Sequence, residues 1–246
     1  MCPRLFQIGP FTIYSYGLML AIGFMAASYF LTQEFKRKGL EPLLAGTITL
    51  IALVAGVAGS KILYLIEHWD FFLADPGGMA FSPGGLTFYG GFVLATLAIY
   101  LYAKKKKLHF LAVADAISPG LLLGYGIARL GCHFAGDGDY GFPTTLPWGT
   151  DYSKGTFPPS QAFRSFPEIT GQYPNGVVPD TTLCHPTPVY ELIVCAVFFA
   201  VLWRFRAKIK STGSMFMLYL IAAGVERFVI EFMRLNPRSV LGLSEA

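Results

Sequence analysis

Between Gly126 and Gly141 an apolar segment delivers Arg129, Cys132, His133, Asp137 and Asp139 among five glycines. An arginine at the end of a hydrophobic span is costly to bury, so it marks a site with an anionic partner. Gly126 and Gly131 beside it let a ligand or another backbone approach closely. Phosphate binding fits these residue types, although a terminal arginine also snorkels to lipid headgroups simply to anchor its helix. Asp137 and Asp139 either orient the arginine and accept a proton or form a tight turn closed by their own side chains.

A second group lies in Gly224-Val-Glu-Arg-Phe-Val-Ile-Glu-Phe-Met-Arg234, where Arg227 and Glu231 are four residues apart and Arg234 follows seven after Arg227. Helical spacing places all three on one face. The stripe reads either as an internal salt bridge that lets charges survive in lipid or as a bound-anion site, and its excess of cation favours the anion. Arginine suits phosphate because its planar fork donates two parallel hydrogen bonds and keeps its charge. The segment His185-Pro-Thr-Pro-Val-Tyr190-Glu191 opens another helix, with prolines where missing amide donors do little harm. Glu191 there steers an arginine or complements the helix dipole, and His185 taken alone fits an interfacial role. Tyr89, Gly90 and Gly91 begin a further apolar span, where glycines permit close helix packing or leave room for a substrate. Tyr16 and Asp115 add polar groups at membrane depth or its edges.

These residues need a frame, and composition supplies it. Of 246 residues, 54% are hydrophobic and only 14% charged, too apolar for an ordinary soluble domain. Six stretches, 11–33, 43–66, 86–103, 109–127, 187–203 and 213–233, are long enough to cross a hydrocarbon core of roughly 30 Å as helices. The expectation is an all-α, polytopic integral membrane helix bundle, one domain over residues 1–246, without the alternating strands of a barrel. Cations at 36–38, 104–107 and 204–210 all fall on one side of a six-pass arrangement, which the positive-inside rule makes cytoplasmic. The site residues then face outward, with residues 139–186, rich in turn signals, as an external loop cap. No aromatic interleaves the lysine run, so it reads as a topology anchor and not as a nucleic-acid surface. The N-terminus lacks the features of a removable signal peptide, so the first span is expected to stay as an anchor. Cysteines at 2, 132, 184 and 195 form no metal-binding spacing, so no metal and no cofactor is expected. A bridge between Cys132 and Cys184 is left open.

Together these segments resemble the prolipoprotein diacylglyceryl transferase family. The likeness runs through Tyr16-Gly17-Leu-Met, Gly84-Gly-Leu-Thr-Phe-Tyr-Gly-Gly91, Asp115, Arg129-Leu-Gly-Cys-His-Phe-Ala-Gly, His185-Pro to Tyr190-Glu191, and Arg227 through Glu231 to Arg234. The resemblance implies an enzyme of the bacterial inner (cytoplasmic) membrane with its active site toward the periplasm. It would move the diacylglyceryl group of phosphatidylglycerol to the lipobox cysteine thiol of a preprolipoprotein, forming a thioether and releasing glycerol 1-phosphate. Its partners are these two substrates and membrane lipid. Arg129 and Arg227 are expected to stabilise the phosphate leaving group, with Asp137, Tyr89 and His133 as further catalytic candidates. Tyr16, Gly90, Gly91, Asp115, Gly131, His185, Tyr190, Glu191, Glu231 and Arg234 are expected to bind substrate. Many members carry histidine where this chain has Tyr89, and Asn and Gly-Glu where it has Cys132 and Gly136-Asp137. Activation of the thiol therefore stays open among His133, Asp137 and the arginine field. Members usually continue past the Arg234 region into a seventh span, and this sequence ends at Ala246. Two other readings use the same arginines: a lipid or anion transporter or channel built on Arg129, Arg227 and Glu231, and a different transferase acting on phospholipid headgroups.

Overall fold

The computed structural model describes residues 1–9, 11–82, 84–234, 238–240 and 243–244. Its chain runs β1 (Arg4–Ile8), β2 (Phe11–Tyr14), α1 (Ser15–Arg37), α2 (Leu43–Glu67), α3 (Trp69–Ala74), α4 (Pro76–Phe81), α5 (Phe88–Lys105) and α6 (Phe110–Ala135). It continues through β3 (Thr150–Asp151), α7 (Pro159–Ala162), α8 (Pro167–Thr170), β4 (Leu183–Cys184), α9 (Thr187–Phe205), α10 (Ser214–Glu231), β5 (Arg238–Val240) and β6 (Leu243–Ser244). Helix dominates, and α1, α2, α6 and α9 are long and apolar enough to cross a membrane. At 18 residues each, α5 and α10 reach about 27 Å. Their composition holds them back: α5 ends in Lys104 and Lys105, and α10 carries Glu226, Arg227 and Glu231.

Two expectations about the spans are corrected. The first span begins at Ser15 and not at 11, because Phe11-Thr-Ile-Tyr14 pairs antiparallel with β1, in register Phe6 to Ile13 and Gln7 to Thr12. Aromatic and β-branched residues favour the strand there, and the described residues form three two-stranded ribbons where the sequence predicts no strands. The fourth span does not stop at 127. It runs to Ala135, so Arg129, Gly131, Cys132 and His133 sit inside α6 and not past its end. Gly136 ends it at φ +58, its N–H donating to the Cys132 carbonyl at 2.9 Å; glycine adopts this left-handed stop without a Cβ penalty. The expected seventh span concerns the chain past Arg234, where residues 235–237, 241–242 and 245–246 lie outside the described residues.

The chain divides into two compact units, residues 1–27 with 118–246 and residues 28–117. In the second unit Leu31, Phe35, Leu44, Ala45, Ile48, Ala103, Val113 and Ala116 form a buried apolar cluster. Here α2 and α5 cross at bare backbone: a Cβ on Gly91 would lie 2.7 Å from the Gly56 carbonyl oxygen, and one on Gly90 would lie 2.5 Å from Leu63 Cβ. Asp115 is buried in this unit, among the charges felt by the Lys38 ammonium.

In the first unit, α6, α9 and α10 share a core of Leu122, Cys195, Leu202, Met215 and Ala222. Residues 139–186 build a core of their own from Tyr140, Tyr152, Phe163, Phe166, Ile169, Val178 and Cys184. Tyr140 and Tyr152 stack there at 4.1 Å between ring centroids, an arrangement that adds to their area burial. This long connection is therefore a packed body held together by aromatics, which gives it the rigidity to position a side chain.

Candidate functional site

The charged contacts of the site join residues of the first unit. The guanidinium of Arg129, on α6, pairs through Nε with Oε2 of Glu191 on α9. Its NH1 donates to Oδ2 of Asp139 at 2.6 Å and to the Cys132 sulfur at 3.4 Å. Arg234 pairs through NH2 with the other Asp139 oxygen. Its NH1 stands 3.7 Å from Glu191 Oε1, an ion-pair distance too long for a hydrogen bond. One carboxylate thus bridges two arginines while a second, fully buried, faces both.

Satisfaction is incomplete. Arg129 NH2, Arg234 Nε and NH1, Glu191 Oε1 and Glu226 Oε1 are buried without a hydrogen-bond partner. Buried polar groups normally find partners, so such a concentration needs a cause. Guanidinium N–H groups in a water-poor site are donors for an anion, and planar oxyanions match their geometry.

Backbone geometry explains how Arg234 arrives. Helix α10 ends at Glu231, so helical periodicity does not place Arg234 as the sequence suggested. An isolated bridge pairs its residue with Gly141, and the Phe142 N–H donates to the Met233 carbonyl at 3.3 Å. A Cβ on Gly141 would collide with that carbonyl oxygen and lie 2.8 Å from Thr187 Cγ2. Only glycine lets the two segments approach so closely. Thr187 in turn donates its hydroxyl to the Asp139 carbonyl at 2.7 Å, and the Gly141 N–H donates to the His185 carbonyl at 2.9 Å.

The remaining candidates divide. His133 Nδ1 lies 3.0 Å from the Tyr152 hydroxyl, tying α6 to the packed connection. Asp137 is exposed as a residue, but its carboxylate oxygen lies within 4.8 Å of the Cys132 sulfur and of an Asp139 oxygen; there desolvation, then the Asp139 carboxylate, raises its carboxyl above the ordinary range. Asp139 is pushed up by desolvation, but Arg129 and Arg234 outweigh this and the net shift is downward. Cys184 is a separate buried thiol, pushed up to about 12 by burial and then by Asp151, and Cys132 is likewise free, so the bridge left open by the sequence is absent. Tyr190 accepts from the Trp148 indole at 2.8 Å and lies 3.2 Å from His185 Nδ1. Gly131 packs on Tyr16, whose Cα would be 3.0 Å from an added Cβ. Arg227 is half-buried on α10, within electrostatic reach of Glu226, and Glu231 is half-buried one turn on. Tyr89, Gly90, Gly91 and Asp115 belong to the second unit.

Cys132, Asp137 and Asp139 bring ligand atoms within 4.8 Å of one another. Two guanidiniums already occupy Asp139 and one reaches Cys132, so the local field opposes a cation there. Sequence reasoning had passed over Glu226, Thr187, Gly141 and Trp148. Glu226 alone carried a signal, an acid at four-residue spacing between Ala222 and Ile230 on the buried face of α10.

The family model described as prolipoprotein diacylglyceryl transferase matches residues 3–246. A protein of Clostridium tetani named phosphatidylglycerol–prolipoprotein diacylglyceryl transferase is 31% identical, across 97% of this chain and 87% of its own length. Proteins of the same name from Corynebacterium diphtheriae and Leptospira interrogans are each 31% identical, over 96% and 93% of this chain and 82% and 72% of theirs. With its apolar helices the protein is membrane-integral, and the chain belongs to the prolipoprotein diacylglyceryl transferase family.

Proposed function

We propose that this protein transfers the diacylglyceryl group of phosphatidylglycerol to the lipobox cysteine thiol of a preprolipoprotein. The glyceryl C3–O bond to phosphate breaks, a C–S bond forms, the thiol proton passes to a base and glycerol 1-phosphate leaves. The observation that carries this reading is the pair of arginines, Arg129 and Arg234, with three buried guanidinium nitrogens left without a hydrogen bond around shared carboxylates. Donors fixed where negative charge develops on a leaving phosphate lower its barrier without reorganisation. Arg227 is the third cation we assign to the phosphate. Glu191, buried against Arg129, orients it.

Asp137 is our choice for the base. Its carboxylate oxygen lies within 4.8 Å of the Cys132 sulfur and of Asp139 at the arginine cluster, and its raised carboxyl is a better proton acceptor near neutrality than an ordinary aspartate, whereas His133 is turned to Tyr152. Asp137→Asn should lower turnover and leave the KM for lipid in place; unchanged turnover would remove Asp137 from this role. In the first unit Tyr16, Gly131, His185, Tyr190 and Glu231 are proposed substrate contacts; in the second, Tyr89 is proposed as one by itself, while Gly90 and Gly91 are taken up by the α2–α5 crossing and Asp115 is buried. We further propose six spans in one membrane domain, with α5 and α10 as the additional two, the site on the outer face of the cytoplasmic membrane, and residues 139–186 as its cap.

The deciding experiment supplies the detergent-solubilised protein with phosphatidylglycerol and a lipobox peptide and seeks diacylglyceryl on the peptide cysteine by mass spectrometry. A serine-for-cysteine peptide is the control. Thioether product is expected; a folded protein that binds lipid and forms none would shift the reading to transport or binding.

A further inference from the structure

The two carboxylates that face the arginines are held in different ways. Glu191 is fully buried and anchored on helix α9. Asp139 keeps 30% of its side chain exposed, against 11% for Arg129 and 9% for Arg234. It sits one residue past Gly138, which adopts φ +92, and three past Gly136 at φ +58. Its two oxygens each take one arginine, as two non-ester oxygens of a phosphate would.

The charge balance of this set determines how it can receive an anion. With Arg129, Arg234, Asp139 and Glu191 ionised, the four charges cancel, and the third cation, Arg227, is offset by Glu226 beside it on α10. A phosphate monoanion added to them leaves a net negative charge in a desolvated place, which is costly. If Asp139 turns out to water as the phosphate enters, the count returns to zero and the orphaned N–H groups gain partners. Glu191 has no comparable route out.

We propose that Asp139 is a displaceable counter-ion: it occupies the phosphate position between Arg129 and Arg234 in the empty site and yields it to the phosphate of a lipid headgroup or of a soluble phosphomonoester. This rests on the phosphate site of the proposed function. It makes Asp139 a residue that sets affinity for the phosphate-bearing substrate and product, and it keeps two buried arginines paired between turnovers.

The test compares wild type with Asp139→Asn and Asp139→Ser by calorimetry in detergent. One arm uses glycerol 1-phosphate, the other short-chain phosphatidylglycerol in micelles. Removing the resident carboxylate should tighten binding roughly tenfold, since the competing occupant no longer has to be displaced. Tightening in the lipid arm alone assigns the place to the headgroup; tightening with glycerol 1-phosphate assigns it to the free phosphate as well. Folded variants that bind no more tightly than wild type overturn the displacement and leave the phosphate site standing. If neither probe binds wild type or variant and no thioether forms, the phosphate site falls and the proposal with it. Should both variants fail to fold, hydrogen exchange on the wild type decides: glycerol 1-phosphate should speed exchange at residues 137–140, and slowed or unchanged exchange there overturns the proposal.

Discussion

Glu34 in the second unit and Glu191 in the first are both buried glutamates facing an arginine, and they are satisfied to different degrees. Arg37 Nε donates to each Glu34 oxygen at 3.0 Å and its NH2 adds a third contact at 2.6 Å. The pair lies one helical turn apart on α1. Glu191 reaches across from α9 to α6 for Arg129, is approached from a third segment by Arg234, and still keeps one oxygen without a hydrogen bond. A structural ion pair closes its own hydrogen bonds, because an unmet buried group costs more than the bond returns. The buried side-chain atoms of Arg129, Glu191, Glu226 and Arg234 that lack a hydrogen bond all belong to the first unit. The second unit uses its polar groups to hold helices, whereas the first keeps donors open for an incoming group.

The widest separation between these two pairs should appear in turnover. Arg129→Ala is expected to reduce thioether formation by about 10²–10³-fold, the usual loss for one donor aimed at developing negative charge. Arg129→Lys should recover little of it, since an ammonium lacks the fork. Arg37→Ala should lower the melting temperature and leave turnover in place. Equal losses from the two arginines, measured by product mass spectrometry, would erase the distinction between a fully hydrogen-bonded arginine and one with open donors.

A smaller contrast concerns the acids. Glu191→Ala leaves two arginines facing a buried gap, and removing one partner of a buried pair destabilises by about 3–5 kcal/mol. Glu191→Gln, which keeps shape and one acceptor, should recover much of the stability and much less of the turnover. Denaturation in detergent and rate, measured on both variants, separate these; a glutamine variant with full turnover would make the charge of Glu191 irrelevant.

Glycines give the next step down. Gly91 and Gly141 each touch a carbonyl oxygen that a Cβ would strike, but the first lies between α2 and α5 and the second bears on the segment that carries Arg234. Gly141→Ala should raise the KM for phosphatidylglycerol by on the order of tenfold, because small displacements of positioning groups are expensive. Gly91→Ala should show its effect in stability. A Gly141 variant that is merely less stable, with its KM intact, would demote the bridge to scaffolding.

Much of the helical frame was legible because long apolar runs have few other readings: 43–66 was expected and Leu43–Glu67 is found. The reading of α6 stopped short since Arg129, Gly131 and His133 look like an exit from the membrane. The helix continues because its polar side chains meet the packed connection and Glu191, partners far off in sequence. The hairpin before α1 was hidden by apolar residues continuous with the span. At the site, Arg129 and Glu191 could be found from charge in an apolar context. Arg234 was picked for a helical stripe that ends before it, and its true placement depends on a bridge to Gly141 that no local pattern encodes. Sequence does not separate Asp139 from Asp137, because two neighbouring aspartates in a glycine-rich turn look alike until the arginines reach one of them.

Those two aspartates also provide the mildest test. For Asp139 the arginines outweigh desolvation and hold its carboxyl below the ordinary value. Its folded pKa is thus below its unfolded one, about 3.9, so it adds stability above that pH and loses it as the pH falls through the folded value. Asp137 has the opposite sign: desolvation, then Asp139, raises it, so its ionisation works against the folded state as pH rises from the unfolded value through the folded one. Melting temperatures followed from pH 7 downward should therefore diverge. Asp137→Asn should flatten the gain that the wild type makes on mild acidification, whereas Asp139→Asn should lack the component lost in strong acid. Parallel curves for the two variants would mean that the arginines do not distinguish the two carboxylates, and the contrast between an arginine-clamped acid and a desolvated one within a single turn would be lost.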